Sequence, residues 1–209
     1  MDKMQLVIPT SFESGRLLLR GYQARDGPML YAVADRNRAH LQRYESGNII
    51  LGARSLREAG ELVNRLVAEW VARSSFFLGA FEKKSGEFIA QVYIGPVNWE
   101  LPEFEIGYFV DINHQGQGYV TEAVKATLGF TFTHLKAQRV SLRCSDSNTR
   151  SYRVAERCGL VREGHLRQNQ RNPDGSLGGE LIYGLLRSEF EAWNRQPSPK
   201  LPTDRGVPA

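Results

Sequence analysis

Hydrophobic positions along this chain switch between a strand period and a helical period, and the switches outline one α/β domain. Residues 16–21 read as a strand, with Leu17, Leu18 and Leu19 in succession. Residues 26–39 follow as a helix in which Met29, Leu30, Ala32 and Val33 are apolar. A second helix over 55–73 is better marked: Ser55 and Glu58 form a capping box, and Leu62, Leu66 and Trp70 fall on one stripe. Residues 76–81, 88–97 and 103–112 then alternate as consecutive strands, with Lys84-Ser85-Gly86 as a hairpin turn.

The second half repeats the alternation with a different connection. A helix over 121–134 precedes a strand over 139–144, a helix after Asn148 that stops at Gly159, and strands over 161–167 and 180–186. Asn172-Pro173-Asp174-Gly175 marks the turn between the last two strands, and a short helix over 187–194 closes the pattern. Residues 196–209 carry four of the nine prolines and no apolar period, which predicts a disordered tail. Residues 1–13 form an N-terminal extension to a domain spanning 14–195. The pattern predicts about seven strands in one mixed sheet with helices on both faces.

The segment Asp111-Ile112-Asn113-His114-Gln115-Gly116-Gln117-Gly118-Tyr119-Val120-Thr121-Glu122-Ala123 runs from a strand end through a glycine loop into a helix. Successive backbone N–H groups of such a loop converge on one spot, and the helix N-terminus adds partial positive charge there. A phosphate or pyrophosphate suits that spot. The third glycine of a dinucleotide fingerprint is replaced by Thr121, which disfavours a nicotinamide oxidoreductase, and no Gly-Lys-Ser/Thr of a P-loop is present.

Gln115, Gly118 and Val120 do match the spacing Q/R-x-x-G-x-G/A, which resembles the acetyl-coenzyme A loop of GNAT N-acetyltransferases. Asn148-Thr149-Arg150-Ser151 through Glu156, Gly159-Leu160 and Glu163-Gly164 is similar to the second conserved segment of the RimJ/RimL branch. Glu105-Ile106-Gly107-Tyr108, Arg16-Leu17-Leu18-Leu19-Arg20 and Tyr183-Gly184-Leu185-Leu186 carry further accents of that branch. The resemblance spans roughly residues 14–190. Two departures stand out. Val120 replaces the usual Gly or Ala, and Ala155 stands where many members place a tyrosine acid.

The resemblance implies acetyl transfer from acetyl-CoA to a primary amine by direct attack in a ternary complex. Backbone groups from Gln115, Gly116, Gln117, Gly118, Tyr119 and Val120 would cradle the diphosphate. Val110 and Ile112 would meet the pantetheine arm, with the Val110 N–H also serving as oxyanion donor, and Asn148 would bond the arm through its amide. Ser151, one helical turn from Ala155, takes the acid's role toward the leaving sulfur in this branch. Glu105 is the candidate base, as an acid on an otherwise apolar strand, with Glu103 on the same face as the fallback; a carboxylate satisfied by a neighbouring arginine is the competing reading. An α-amine (pKa about 7.7–8.0) is easier to deprotonate than a lysine (about 10.4) by roughly 3.5 kcal/mol, so a weak or water-relayed base suffices for it. The acceptor is expected over the first two helices and the strands around Tyr93 and Trp99, with His40-Leu41-Gln42-Arg43-Tyr44 nearby.

Composition narrows the classes. At 209 residues and 41% hydrophobic the chain can build a core without disulfides, and no apolar run spans a membrane. Met1-Asp2-Lys3-Met4-Gln5 lacks a signal peptide's pattern, and Cys144 and Cys158 fit a reducing, cytoplasmic setting. His40, His114, His134 and His165 show no metal-ligand spacing. Residues 136–172 carry eight Arg and one Lys against three acids, more than the whole chain's net +4. That excess suits coenzyme A phosphates, an acidic substrate or RNA, but no known nucleic-acid module is present and nucleic acid is not required. The acceptor therefore stays open between a protein N-terminal α-amine, of ribosomal type in the named members, and a small amine such as a polyamine, amino acid or antibiotic. A non-catalytic RNA-associated module is the alternative from another class. A homodimer is common among similar proteins, and the chain itself does not display one.

Overall fold

The structure, a computed structural model, describes residues 2–172 and 174–195, apart from the Tyr44 side chain. The tail expected over 196–209 lies outside the described residues, as does Pro173 of the predicted turn. Strands β1 (Ser11–Glu13) and β2 (Leu17–Gly21) lead to helices α1 (Gly27–Tyr44) and α2 (Leu56–Ala72). Three long strands follow: β3 (Phe76–Glu82), β4 (Phe88–Asn98) and β5 (Glu103–Val110). Then come α3 (Tyr119–Thr133), β6 (Arg139–Ser145), α4 (Thr149–Arg157), β7 (Val161–Arg171), β8 (Leu177–Leu186) and α5 (Arg187–Arg195).

All eight strands join one sheet in the order β1-β2-β3-β4-β5-β6-β8-β7. Every adjacent pair is antiparallel except β5 and β6. The eighth strand is β1, formed within the expected extension: Phe12 lies opposite Leu19 and stacks on Phe130 at 4.6 Å between ring centroids. Helix α1 outruns its predicted end by five residues because Leu41, fully buried, gives its last turn a core anchor. The β7–β8 hairpin is also longer than predicted. Its outer strand β7 is exposed at nearly every residue, so no alternation marked its end.

The cores lie on both faces. On one face α1 and α2 press Leu30, Val33, Leu62, Val63 and Leu66 against Phe77, Phe81, Phe88 and Phe109. On the other, α3, α4 and α5 bury Val124, Leu128, Val154 and Phe190 against Phe76, Ile94, Phe104 and Ile106. At the start of α2 the Ser55 hydroxyl accepts the Glu58 N–H at 3.2 Å. The Glu58 carboxylate reaches one residue further back than a capping box requires, to the Arg54 N–H at 3.0 Å.

Candidate active site

Among the described residues one pairing of the sheet is parallel, and it is short. Strands β5 and β6 pair over Glu103–Arg139, Phe104–Val140 and Glu105–Ser141, although β5 runs on to Val110 and β6 to Ser145. Beyond Glu105 the strands part and leave a wedge. Asp111 donates its N–H to the Ile89 carbonyl at 2.8 Å, in register with β4. Alternate residues of a strand direct their N–H groups to opposite edges. The N–H groups of Val110 and Tyr108 are therefore turned into the wedge.

The glycine loop closes one end of that wedge. Gly116 and Gly118 take φ of 76° and 77°, the left-handed region that a side chain would strain. Gly118 is the N-cap of α3 and makes no side-chain capping bond. The first N–H groups of α3, from Tyr119 onward, thus lack the capping acceptor that a helix start normally has. A Cβ built at Gly116 meets nothing within 4 Å, so the outer face of the loop is open. Open amides and a helix N-terminus at one end, with strand N–H groups in the wedge, fit the diphosphate and amide-bearing arm of acetyl-CoA.

Side chains of this loop act as struts. Gln115 accepts from Arg150 of α4 at 2.6 Å, and its amide nitrogen lies 3.3 Å from His40 of α1. Burial and the charges of Arg150 and Arg43 hold His40 below the ordinary histidine range, so it is neutral there. The Gln117 carbonyl accepts from Arg16 at 3.2 Å. Tyr119 turns its ring away under the Arg16 guanidinium, 4.0 Å to the centroid, and bonds Glu82 at 2.7 Å. It offers the loop only its backbone. Val120 lies inside α3 and packs toward the core, so its branches do not crowd the loop's open face.

Asp111, a position that reads in sequence as a turn residue, anchors the whole loop. Its fully buried carboxylate accepts from Arg36 at 2.6 Å, from Asn37 at 3.1 Å and from the Asn113 N–H at 3.0 Å. Asn37, itself fully buried, accepts the Ile112 N–H at 2.8 Å. Ile112 therefore has only its carbonyl left to offer an incoming arm. This knot is invisible in the order of residues, because its members come from α1 and from the loop 75 residues later.

At the other end of the wedge lies a cavity of about 740 Å³ on the α1–α2 face. Glu105, Tyr108, Asn148 and Ser151 line it together, as do Gln91, Tyr93 and Cys144. Asn148, on the cavity wall, caps α4 by accepting the Ser151 N–H at 3.2 Å, so its oxygen is engaged and its amide nitrogen is not part of the cap. Tyr108 donates to the Ser151 carbonyl at 2.9 Å, and Ser151 Oγ lies 3.4 Å from the same phenol oxygen. Burial drives the Tyr108 phenol well above the usual tyrosine range, so it stays protonated. Ala155 is fully buried, as its side chain requires.

Glu105 sits 3.7 Å from Arg143, which also holds Glu180 at 3.1 Å. Burial raises the Glu105 carboxyl above the ordinary range, against the pull of Arg143. Glu45, at the end of α1, is a second acid on the cavity wall that the sequence did not single out. Burial pushes it up to about 7, opposed by a 2.9 Å bond from Asn48. Tyr93 and Arg43 line the cavity as expected. Trp99 does not: it packs edge-on against Phe104, 5.0 Å between centroids, in the opposite core. Burial lifts the thiols of Cys144 and Cys158 to about 11 and about 12.

The acetyltransferase (GNAT) domain profile matches residues 16–161. The chain belongs to the GNAT acetyltransferase family. It is 26% identical to the uncharacterized N-acetyltransferase YnaD of Bacillus subtilis, over 86% of this chain and 96% of that one. Over 37% of the chain and 46% of the relative it is 38% identical to the ribosomal-protein-serine acetyltransferase of Escherichia coli. The solved ribosomal-protein-S5-alanine acetyltransferase from Vibrio fischeri has the same fold, with a TM-score of 0.77 at 20% identity, covering 87% of this chain and 99% of that one. The protein is an acetyl-CoA-dependent N-acetyltransferase, and the GNAT wedge, loop and cavity constitute its candidate active site. Among the described residues no helix is long and apolar enough to cross a membrane, and no cluster of acids, histidines and cysteines is arranged to hold a metal.

Proposed function

We propose that this GNAT enzyme acetylates the α-amine of a protein or peptide N-terminus, in the cytoplasm, by direct attack within a ternary complex. One observation carries the reading: the wedge between β5 and β6 joins an open amide loop to a roomy cavity walled by carboxylates. An N-terminal amine with its first residues fits such a cavity. The ribosomal-protein acceptors in the names of the Escherichia coli and Vibrio fischeri proteins lend the same direction.

Acetyl-CoA supplies the acetyl thioester when bound. The Val110 N–H donates to the carbonyl oxygen as negative charge develops on it. Asn148 and the Tyr108 N–H orient the arm, and the loop from Gln115 to Val120 receives the diphosphate, with Ile112 contributing its carbonyl. Glu105 takes the ammonium proton through water, because it lies several strand residues from Val110. Its raised range brings it closer to neutrality, where a base works best. Ser151 gives a proton to the departing sulfur and recovers one, through water, from the nitrogen as the amide forms. Direct attack is favoured over an acyl-cysteine because the high thiol ranges of Cys144 and Cys158 leave almost no thiolate at neutral pH.

Two measurements test the reading. Thermal unfolding beside coenzyme A, NAD and an RNA oligomer should show stabilisation by coenzyme A, about 2.7 kcal/mol at 100 times its dissociation constant. Thiol release should then be faster with unblocked peptides than with polyamines, free amino acids or aminoglycosides. A preference for one of the small amines overturns the peptide acceptor.

A further inference from the structure

Strand β4 crosses the centre of the sheet and is apolar through most of its buried length: Ile89, Ala90, Val92 and Ile94 are all at most 1% exposed. Gln91 interrupts it. The side chain is 3% exposed and faces α1 and α2, with Gly79 opposite on β3 and Phe109 opposite on β5. That register sets Gln91 at the level of the Val110 N–H, deep in the cavity it helps to line. A buried carboxamide in this position needs a reason.

Half of the amide is satisfied inside the protein. Its Oε1 accepts from the Tyr22 hydroxyl at 2.8 Å, and Tyr22 is itself 7% exposed. Burial and the Asp26 charge keep that phenol protonated, so it acts as the donor. The bond fixes the orientation of the carboxamide and leaves its NH₂ end toward the cavity, where no side chain among the described residues accepts from it. The neighbouring carboxylates are engaged elsewhere: Glu105 and Glu180 on Arg143, Glu45 on Asn48, and Glu69 on Ser75 and Arg65. An amide NH₂ donates and cannot accept. The cavity keeps that NH₂ within reach of solvent while its oxygen end is held by Tyr22, so the group is presented to an oxygen that arrives with the substrate.

We propose that Gln91 binds the carbonyl oxygen adjacent to the reacting amine, and so selects aminoacyl and peptide amines over amines that lack a carbonyl. The inference rests on the peptide-acceptor reading and sharpens it. A peptide N-terminus presents an amine and, one carbon away, a carbonyl acceptor. A polyamine presents donors alone and leaves Gln91 unpaired. Gln91 is thereby a specificity residue, distinct from the groups that move protons.

The test compares an unblocked peptide with its isostere in which the first amide is a trans-alkene, on the wild-type enzyme and on Gln91→Glu and Gln91→Met. Glutamate preserves the acceptor for Tyr22 and removes the NH₂ donor; methionine preserves volume. The wild type should favour the peptide over the alkene about tenfold in kcat/KM, and both variants should erase that preference. Coenzyme A-induced thermal stabilisation, unchanged in both, confirms that they fold. A preference that persists in folded variants overturns the proposal. So does a uniform loss on peptide, alkene and diamine alike, which would place Gln91 at the thioester carbonyl instead. If the wild type favours the diamine, the peptide reading fails by itself; the Gln91 role then stands only if an amino-acid amide still outperforms its carbonyl-free analogue in a Gln91-dependent way.

Discussion

The Tyr108 hydroxyl and the first turn of α4 are joined at Ser151, whose carbonyl accepts the phenol proton at 2.9 Å while its own Oγ lies 3.4 Å from the phenol oxygen. The β5 strand thus fixes the position of the serine proposed to protonate the leaving sulfur. Ser151→Ala is expected to slow turnover about tenfold without abolishing it, because a thiol of pKa about 8.5 leaves with little help. Tyr108→Phe should cost less. Because the two side chains share one hydrogen-bond network, their effects should not add in a double-mutant cycle on kcat. Strict additivity would show that Tyr108 does nothing for Ser151.

Asn148 has two tasks on one amide. Its oxygen caps α4, and in the proposed mechanism its nitrogen binds the arm of the acyl donor. Asn148→Ala should lower stability by about 1 kcal/mol and raise the KM for acetyl-CoA. Asn148→Asp separates the tasks: the cap survives, the donor is gone, and only the KM should change. Steady-state kinetics beside thermal unfolding checks both.

Glu105→Gln should reduce the rate mainly at acidic pH, where the acceptor amine is protonated and needs a base. Toward alkaline pH, where the amine is already neutral, the variant should approach the wild type. A pH profile of kcat/KM that keeps its shape in the variant removes Glu105 from the proton path.

Glu45 should reveal itself in stability. Its folded value near 7 lies above the ordinary carboxylate value of 4.5, so the fold disfavours its ionised form. The cost is absent below about pH 4.5, grows as pH rises, and is complete above about 7. Glu45→Gln should therefore stabilise the protein by about 2 kcal/mol at pH 8 and leave it nearly unchanged at pH 4. Equal effects at both values would show that Glu45 titrates normally.

The Asp111 knot predicts coupled loss. Asp111→Ala leaves Arg36 without its carboxylate and takes one of three partners from Asn37, and should destabilise the protein by about 3 kcal/mol. It should also weaken coenzyme A binding, since the loop loses its charged tie to α1 and keeps the Asn37–Ile112 and His40–Gln115 contacts. Calorimetric titration on the folded fraction at low temperature separates the two effects.

Much of this was legible from residue order. Glycines at 116 and 118, the capping Asn148 and the aromatic strand around Glu105 announce the wedge and loop because their chemistry is local. What stayed hidden depends on contacts distant in sequence. Asp111 resembles any turn aspartate until α1 is folded over it, and Gln91 resembles an ordinary strand residue until Tyr22 is beside it. Trp99 misled for the same reason: an aromatic next to the acceptor strands says nothing about which face it covers. Strand β1 was missed because three residues hold too little pattern to read.

Among the described residues, β5 and β6 pair over three residues, extended at one end by the Gln138 N–H donating to the Pro102 carbonyl at 2.8 Å. The two halves of the ladder are therefore weakly zipped, and much of their union falls to the helices stacked across them. A molecule threaded between Tyr108 and Asn148 would act as a missing strand, bridging both halves at their seam. Amide hydrogen exchange should then slow on both sides of the seam together when coenzyme A is added, well beyond the atoms it touches.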